Sequence, residues 1–64
     1  MLKEYAVVRL KEPDPSIPIP PGAKGAVLIV YDSSPPAYEV EFVDDAGKSL
    51  GAYTVGEKHL EEIK

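Results

Sequence analysis

The alternation of hydrophobic and polar positions predicts that this chain is built around a pair of strands. Residues 25–31 (Gly-Ala-Val-Leu-Ile-Val-Tyr) form an apolar run, and residues 37–43 (Ala-Tyr-Glu-Val-Glu-Phe-Val) alternate apolar and charged side chains. Residues 32–36 between them (Asp-Ser-Ser-Pro-Pro) favour a loop. Apolar runs rich in β-branched residues and period-two alternation are both typical of strands. We therefore expect a β-hairpin onto which the rest of the 64 residues folds.

A further strand and a proline-rich segment precede this hairpin. Residues 4–11 predict a first strand that ends before Pro13, because proline lacks a backbone donor and restricts the residue before it. Five of the seven prolines lie within residues 13–22, which excludes a helix or a central strand there. A flexible linker would leave the first strand isolated, so we expect an ordered loop that buries Ile17 or Ile19. The alternative is a polyproline segment offered to another protein.

Two further strands follow the hairpin. Residues 44–47 (Asp-Asp-Ala-Gly) favour a tight turn, because an aspartate side chain can accept from its own turn backbone and Gly47 suits a left-handed conformation. Residues 48–55 predict the fourth strand, in which Gly51 indicates a bend or a bulge of the kind that barrel closure needs. Residues 56–64 predict one helical turn followed by a short edge strand.

This order of elements predicts one all-β domain over residues 1–64. We expect a small SH3-like barrel of about five strands, with a long proline-rich loop after strand 1 and a short helical turn near the C-terminus. A domain of this length buries only about 60% of its unfolded surface, so its stability should be marginal. The predicted core consists of the apolar residues at inward positions: Val8, Leu10, Val27, Leu28, Val30, Tyr38, Val40, Phe42, Leu50, Val55 and Leu60.

Both faces of the second strand are apolar, which leaves two interpretations open. Strict alternation places Val27, Ile29 and Tyr31 on one face, and the opposite face is apolar as well. An antiparallel strand exposed on one side normally has a polar face. Either the strand coils so that both faces are covered, or Ile29 and Tyr31 are exposed and mark an interface.

Charge narrows the classes of partner. The net charge is −4, from 11 acidic and 7 basic residues, whereas nucleic-acid binding needs clustered lysine and arginine. An acidic chain suits a basic protein partner instead. Glu39 and Glu41 share one strand face and, with the aspartates of the following turn, form an acidic stripe; the alternative is a solvated face that discourages edge pairing. The candidate interaction surface comprises Tyr5, Ile29, Tyr31, Glu39, Glu41, Asp44 and Asp45.

Groups suited to catalysis or metal binding are scarce. The chain has no cysteine, and its one histidine, His59, has no second soft ligand beside it in the sequence. The glycines of residues 22–25 lack the spacing of a phosphate loop. We expect no enzyme activity, no metal and no cofactor. No signal peptide and no apolar run of about 20 residues is visible, which predicts a cytoplasmic protein with no membrane association.

Several short motifs together resemble a family of small bacterial proteins known as a domain of unknown function, numbered forty-nine twenty-six. Ile29, where that family usually has a charged residue, and the proline-rich loop depart from its pattern. The resemblance implies an SH3-like fold. Some members are encoded beside nuclease-like toxin genes, which implies an antitoxin or immunity role. The motifs that carry the resemblance are Val8-x-Leu10, Gly22-x-x-Gly25-x-Val27, Tyr38-Glu39-Val40-Glu41-Phe42 and Asp45-x-Gly47.

Three functions follow as expectations. The first is a non-enzymatic protein-interaction module, in its sharper form an antitoxin or immunity-like protein that neutralises a basic nuclease. The second is a nucleic-acid or ribosome-associated barrel, because residues 22–27 also resemble the glycine-containing motif of KOW-type barrels. The third is a self-associating structural module that uses Ile29 and Tyr31 as a homo-oligomer interface.

Overall fold

A computed structural model describes residues 1–63, which form one five-stranded antiparallel sheet with the order β4-β3-β2-β1-β5. The expected all-β architecture, the long loop after the first strand and the helical turn near the C-terminus are confirmed. Closure into an SH3-like barrel stays a prediction. The elements are β1 (Val7–Leu10), β2 (Lys24–Tyr31), β3 (Ala37–Val43), β4 (Ser49–Gly56), a 3-10 turn (Glu57–His59) and β5 (Leu60–Glu62).

The first strand is shorter than predicted. It begins at Val7 rather than at residue 4, because the backbone of Tyr5 is left-handed, with φ of 68°. A residue in that conformation cannot continue an extended strand. The Tyr5 amide still donates to the carbonyl of Val27, at 2.7 Å. β1 is an internal strand of the sheet, paired with β2 on one side and with the edge strand β5 on the other.

A bulge in β2 changes which of its residues face the core. Val27 lies opposite Val40 and Ile29 lies opposite Glu39, so Leu28 is an extra residue in the ladder. Beyond the bulge the alternation is reversed, so Val30, rather than Ile29 or Tyr31, lies on the inner face of the sheet. The prediction that Val27, Ile29 and Tyr31 share one face was therefore wrong.

A second bulge lies at the start of β4. Phe42 pairs with Gly51 and Val43 pairs with Ser49, which leaves Leu50 outside the ladder. Gly51 has φ of 112°, a conformation that side chains disfavour, and so confirms the predicted bulge. Leu50 was expected in the core, but it is exposed because the bulge turns it away from the inner face.

The core lies on the inner face of the sheet. The proline-rich loop contributes Ile19 to it and packs Ile17 against it, which confirms the predicted burial of an isoleucine of this loop. Leu28 and Val30, both expected in the core, are only partly buried. The 3-10 turn delivers Leu60 into the core, as predicted. The buried hydrophobic residues are Val8, Leu10, Ile19, Val27, Tyr38, Val40, Phe42, Val55 and Leu60.

Candidate interaction surface

The outer sheet face is the side of the sheet opposite the core, and it carries exposed apolar residues. Val7 is 49% exposed, Ile29 48% and Tyr31 39%. The bulge at Leu28 is the reason that Ile29 and Tyr31 point outward, because it reverses the alternation before them. Of the two interpretations of the second strand, the structure supports the one in which Ile29 and Tyr31 are exposed.

Two glutamates share this face with the apolar residues. Glu39 lies opposite Ile29 on one side and Thr54 on the other. The Thr54 hydroxyl donates to Glu39 Oε1 at 2.8 Å, and the Ser49 hydroxyl donates to Glu41 Oε2 at 3.0 Å. Within residues 1–63 neither carboxylate has a salt-bridge partner. Hydroxyls of β4 therefore hold both carboxylates in position and leave their charge uncompensated.

A shallow depression of about 280 Å³ adjoins these residues on the outer sheet face. Small residues of β2 form its floor, and valines of β1 and β3 stand beside them. The carboxylate of Glu41 and the ammonium group of Lys24 lie at the rim of this depression, beside its apolar lining. Its lining consists of Val7, Lys24, Gly25, Ala26, Glu41 and Val43.

The remaining predicted residues lie away from this cluster. Asp44 Oδ1 accepts from the amides of Ala46 and Lys48, at 2.9 and 2.8 Å, so this side chain closes the turn between β3 and β4, as the sequence predicted. Asp45 is exposed in the same turn. Tyr5 is 72% exposed before β1. The structure thus brings Ile29, Tyr31, Glu39 and Glu41 onto one face and places the other three at the margins of the sheet.

The two turn aspartates line a second, open cleft of about 440 Å³. Its other wall runs from Pro20, near the end of the proline-rich loop, to Lys24, the first residue of β2. One oxygen of Asp44 is already occupied by its own turn backbone. The cleft therefore offers fewer free polar groups than its acidic lining suggests, and the outer sheet face is the better candidate surface.

A polar cluster that the sequence did not reveal joins the chain's start to β3 and to the 3-10 turn. The hydroxyl of buried Tyr38 donates to the carboxylate of Glu57 and accepts from the Leu2 amide, at 2.9 Å. Burial, and then the bond to Glu57, raise the pKa of Tyr38. These partners are 19 and 36 residues away from Tyr38 along the chain, so no local motif could have indicated the cluster.

An ion pair compensates one charge at the β1–β5 end of the outer sheet face. Arg9 donates from Nε and Nη2 to Glu61 Oε1, at 3.3 and 2.8 Å. These hydrogen bonds, together with the positive charge of Arg9, lower the pKa of Glu61. Because Arg9 is paired in this way, the charged groups that line the apolar part of the outer face without a salt-bridge partner among residues 1–63 are Glu39, Glu41 and Lys24, two negative charges against one positive.

In the described part of the chain, neither the titratable groups nor the 3-10 turn forms a metal site or a membrane-spanning helix. Within residues 1–63 no group of three histidine, cysteine or acidic side chains could hold a metal ion. His59 is partly buried, and its Nδ1 has no hydrogen-bond partner in this part of the chain. None of the helical residues that the structure describes forms a segment long and apolar enough to cross a membrane.

These features define a class: a small all-β domain whose sheet presents a mixed apolar and acidic outer face. A sequence model of the family described as domain of unknown function (DUF4926) matches residues 4–62. The chain belongs to this family, which confirms the resemblance found in its motifs. No curated protein and no solved structure matches the chain.

Proposed function

We propose that this protein is a non-enzymatic interaction module that binds a basic protein through its outer sheet face. In the sharper form, the partner is a nuclease and the chain acts as an antitoxin or immunity-like protein in the cytoplasm, built on an SH3-like barrel. The observation that supports the proposal is the clustering of exposed Ile29 and Tyr31 with the unpaired carboxylates of Glu39 and Glu41.

The chemistry of this cluster suits a protein partner. Protein interfaces combine a central apolar or aromatic contact with polar groups that set orientation. Tyr31 supplies apolar area with a polar tip, and Ile29 supplies apolar area alone. The carboxylates beside them, together with a net charge of −4, attract a basic surface at long range and speed its association.

Self-association is the second candidate, because the same exposed residues, Val7 and Ile29, could pack against a second copy. A two-fold interface brings the same patch of both copies together. Glu39 and Glu41 of both copies would then lie in one interface, and like charges at close range oppose association. The acidic residues therefore favour a basic partner over a second copy.

Affinity capture with the tagged chain as bait tests the proposal. The baits are the wild type, Ile29→Glu, and the double variant Glu39→Gln/Glu41→Gln, with Ala46→Glu as the control. Ala46 is exposed in the β3–β4 turn, so its variant adds the same charge as Ile29→Glu away from the outer sheet face. We expect the wild type and the control to retain one basic protein, identified by mass spectrometry, that the other two baits lose.

Three results would contradict this function. Capture of the same proteins by all four baits would show that the outer sheet face is not the binding surface. Sedimentation that finds a wild-type dimer and a folded Ile29→Glu monomer would assign the face to self-association. Binding to mixed RNA that weakens steeply with salt would instead favour the KOW-like alternative.

A further inference from the structure

β4 is an edge strand. Its side that faces away from β3 pairs with no other strand of residues 1–63. The strand order places β4 at the end of the sheet, paired only with β3. Among residues 1–63, no loop makes a backbone hydrogen bond to Ser49–Gly56. After the bulge, residues 52–56 pair regularly with β3. Alternate amides and carbonyls of this regular segment therefore point away from the sheet, toward solvent.

The two edges of the sheet are protected very differently. β5, at the opposite end, is three residues long and carries Glu61 and Glu62. β4 is eight residues long and contains neither a charged residue nor a proline. Natural proteins usually protect an edge strand with charge, proline, shortness or cover, because an unprotected edge accepts further strands. Among residues 1–63, the bulge at Leu50 is the one such feature of β4, and it lies at one end of the strand.

The side chains near this edge indicate which charge a strand that pairs with β4 should carry. The outward residues of β4 are small, Ala52 and Thr54, and they lie directly opposite Glu41 and Glu39 on β3. A strand added to β4 would lie about 10 Å from β3, since neighbouring strands are about 4.8 Å apart. A lysine or arginine on the added strand can reach over these small residues toward the carboxylates.

We propose that the free edge of β4 receives an extended segment of the partner as a sixth antiparallel strand, with basic side chains at alternate positions directed toward Glu39 and Glu41. The inward positions of this strand are apolar and cover Tyr53, which is only partly buried beside the core. Backbone hydrogen bonds supply the affinity and the alternating side chains supply the specificity. The proposal rests on the function proposed above, because it specifies how the basic partner binds.

A peptide probe tests this strand addition without knowledge of the partner. The probe is an eight-residue peptide of alternating lysine and valine, as long as β4. The control peptide has the same sequence with alternate backbone nitrogens methylated, which removes donors and keeps the charge. Binding to the ¹⁵N-labelled chain is followed by amide chemical shifts. We expect the probe to shift and to protect the amides of residues 52–55, and the methylated peptide to do neither.

Protein variants separate charge from backbone pairing. Ala52→Lys places a positive charge on the edge opposite Glu41 and should weaken probe binding about two- to fivefold, which corresponds to the loss of one exposed ion pair. Lysine is common on natural edge strands, so this variant should fold normally. Ala46→Lys, which adds the same charge in the exposed turn, is the matched control and should have a much smaller effect.

The outcomes distinguish this proposal from the function on which it rests. Equal binding of both peptides, or probe shifts confined to Val7 and Ile29, would overturn strand addition and leave the outer sheet face as the binding surface. Shifts of residues 52–55 that depend on protein concentration without peptide would assign the edge to a second copy and likewise overturn it. If neither peptide bound at about millimolar concentration, strand addition would also be refuted. The proposed binding of a basic partner is tested separately, by the capture experiment.

Discussion

The hydroxyl of Tyr38 should contribute measurably to stability, because it joins three parts of the chain at one atom. It donates to the carboxylate of Glu57 and accepts from the Leu2 amide at 2.9 Å, while the Tyr38 side chain is fully buried. Tyr38→Phe removes both hydrogen bonds and leaves the ring in place. Leu2, which packs against the core, then loses its polar anchor.

The size of the effect follows from the partners. Hydrogen bonds to charged groups contribute about 1.5–3 kcal/mol, and the lower end applies here because the half-exposed carboxylate of Glu57 can bind water instead. We therefore expect Tyr38→Phe to lower the free energy of unfolding by about 1.5 kcal/mol, which corresponds to roughly 6–12 °C in Tm for a domain of this size. Urea unfolding followed by far-UV circular dichroism measures this loss.

Tyr53→Phe is the matched control for this experiment. Its hydroxyl makes no hydrogen bond to the residues that the structure describes, and its ring lies over Gly51. The same chemical change should therefore alter stability by less than about 0.5 kcal/mol. If Tyr38→Phe were no more destabilising than Tyr53→Phe, the argument that the hydroxyl ties the chain together would be refuted.

The pH dependence provides a second test of the same group. The pKa of Tyr38 is raised in the folded state, so the folded chain retains this proton at a pH where the unfolded chain loses it. The resulting stability is fully present below about pH 10 and is lost as pH rises through the folded pKa. The difference between the wild type and Tyr38→Phe should therefore shrink above about pH 10, and a constant difference would contradict this assignment.

Two backbone positions give further predictions. Gly25→Ala should lower the free energy of unfolding by about 1–3 kcal/mol, because its Cβ would lie 2.6 Å from the carbonyl oxygen of Glu41 and 2.8 Å from a methyl of Val40. Gly56→Ala, where the nearest atom is 3.8 Å away, should change it little, and equal losses in urea unfolding would contradict the crowding argument. Tyr5→Gly should raise the free energy of unfolding by up to about 1 kcal/mol, because Tyr5 has φ of 68° and an exposed side chain. A lower thermal midpoint for this variant would show that contacts of the tyrosine side chain outweigh the backbone strain.

The sequence by itself determined the parts of the fold that depend on neighbouring residues. β3 runs over the predicted residues 37–43, because strict alternation of apolar and charged side chains admits only one inward face. The turn after it forms as expected, since Asp44 and Gly47 have the chemistry that such a turn needs. The proline-rich loop was predictable because its prolines exclude a helix or a central strand. The docking of Leu60 was predictable because the short terminal segment has few other ways to bury an apolar side chain.

Tertiary structure decided which residues of β2 and β4 face outward. The bulge at Leu28 arises from the register between β2 and β3, and a run of apolar residues contains no local signal for such a shift. In β4, Gly51 indicated a bulge, but the pairing with β3 decided that Leu50 is the residue left outside the ladder. One extra residue reverses every later side chain, which is how Ile29 and Tyr31 came to lie beside Glu39. The candidate surface was therefore visible in the sequence as a set of residues, but the register between β2 and β3 brought its central members onto one face.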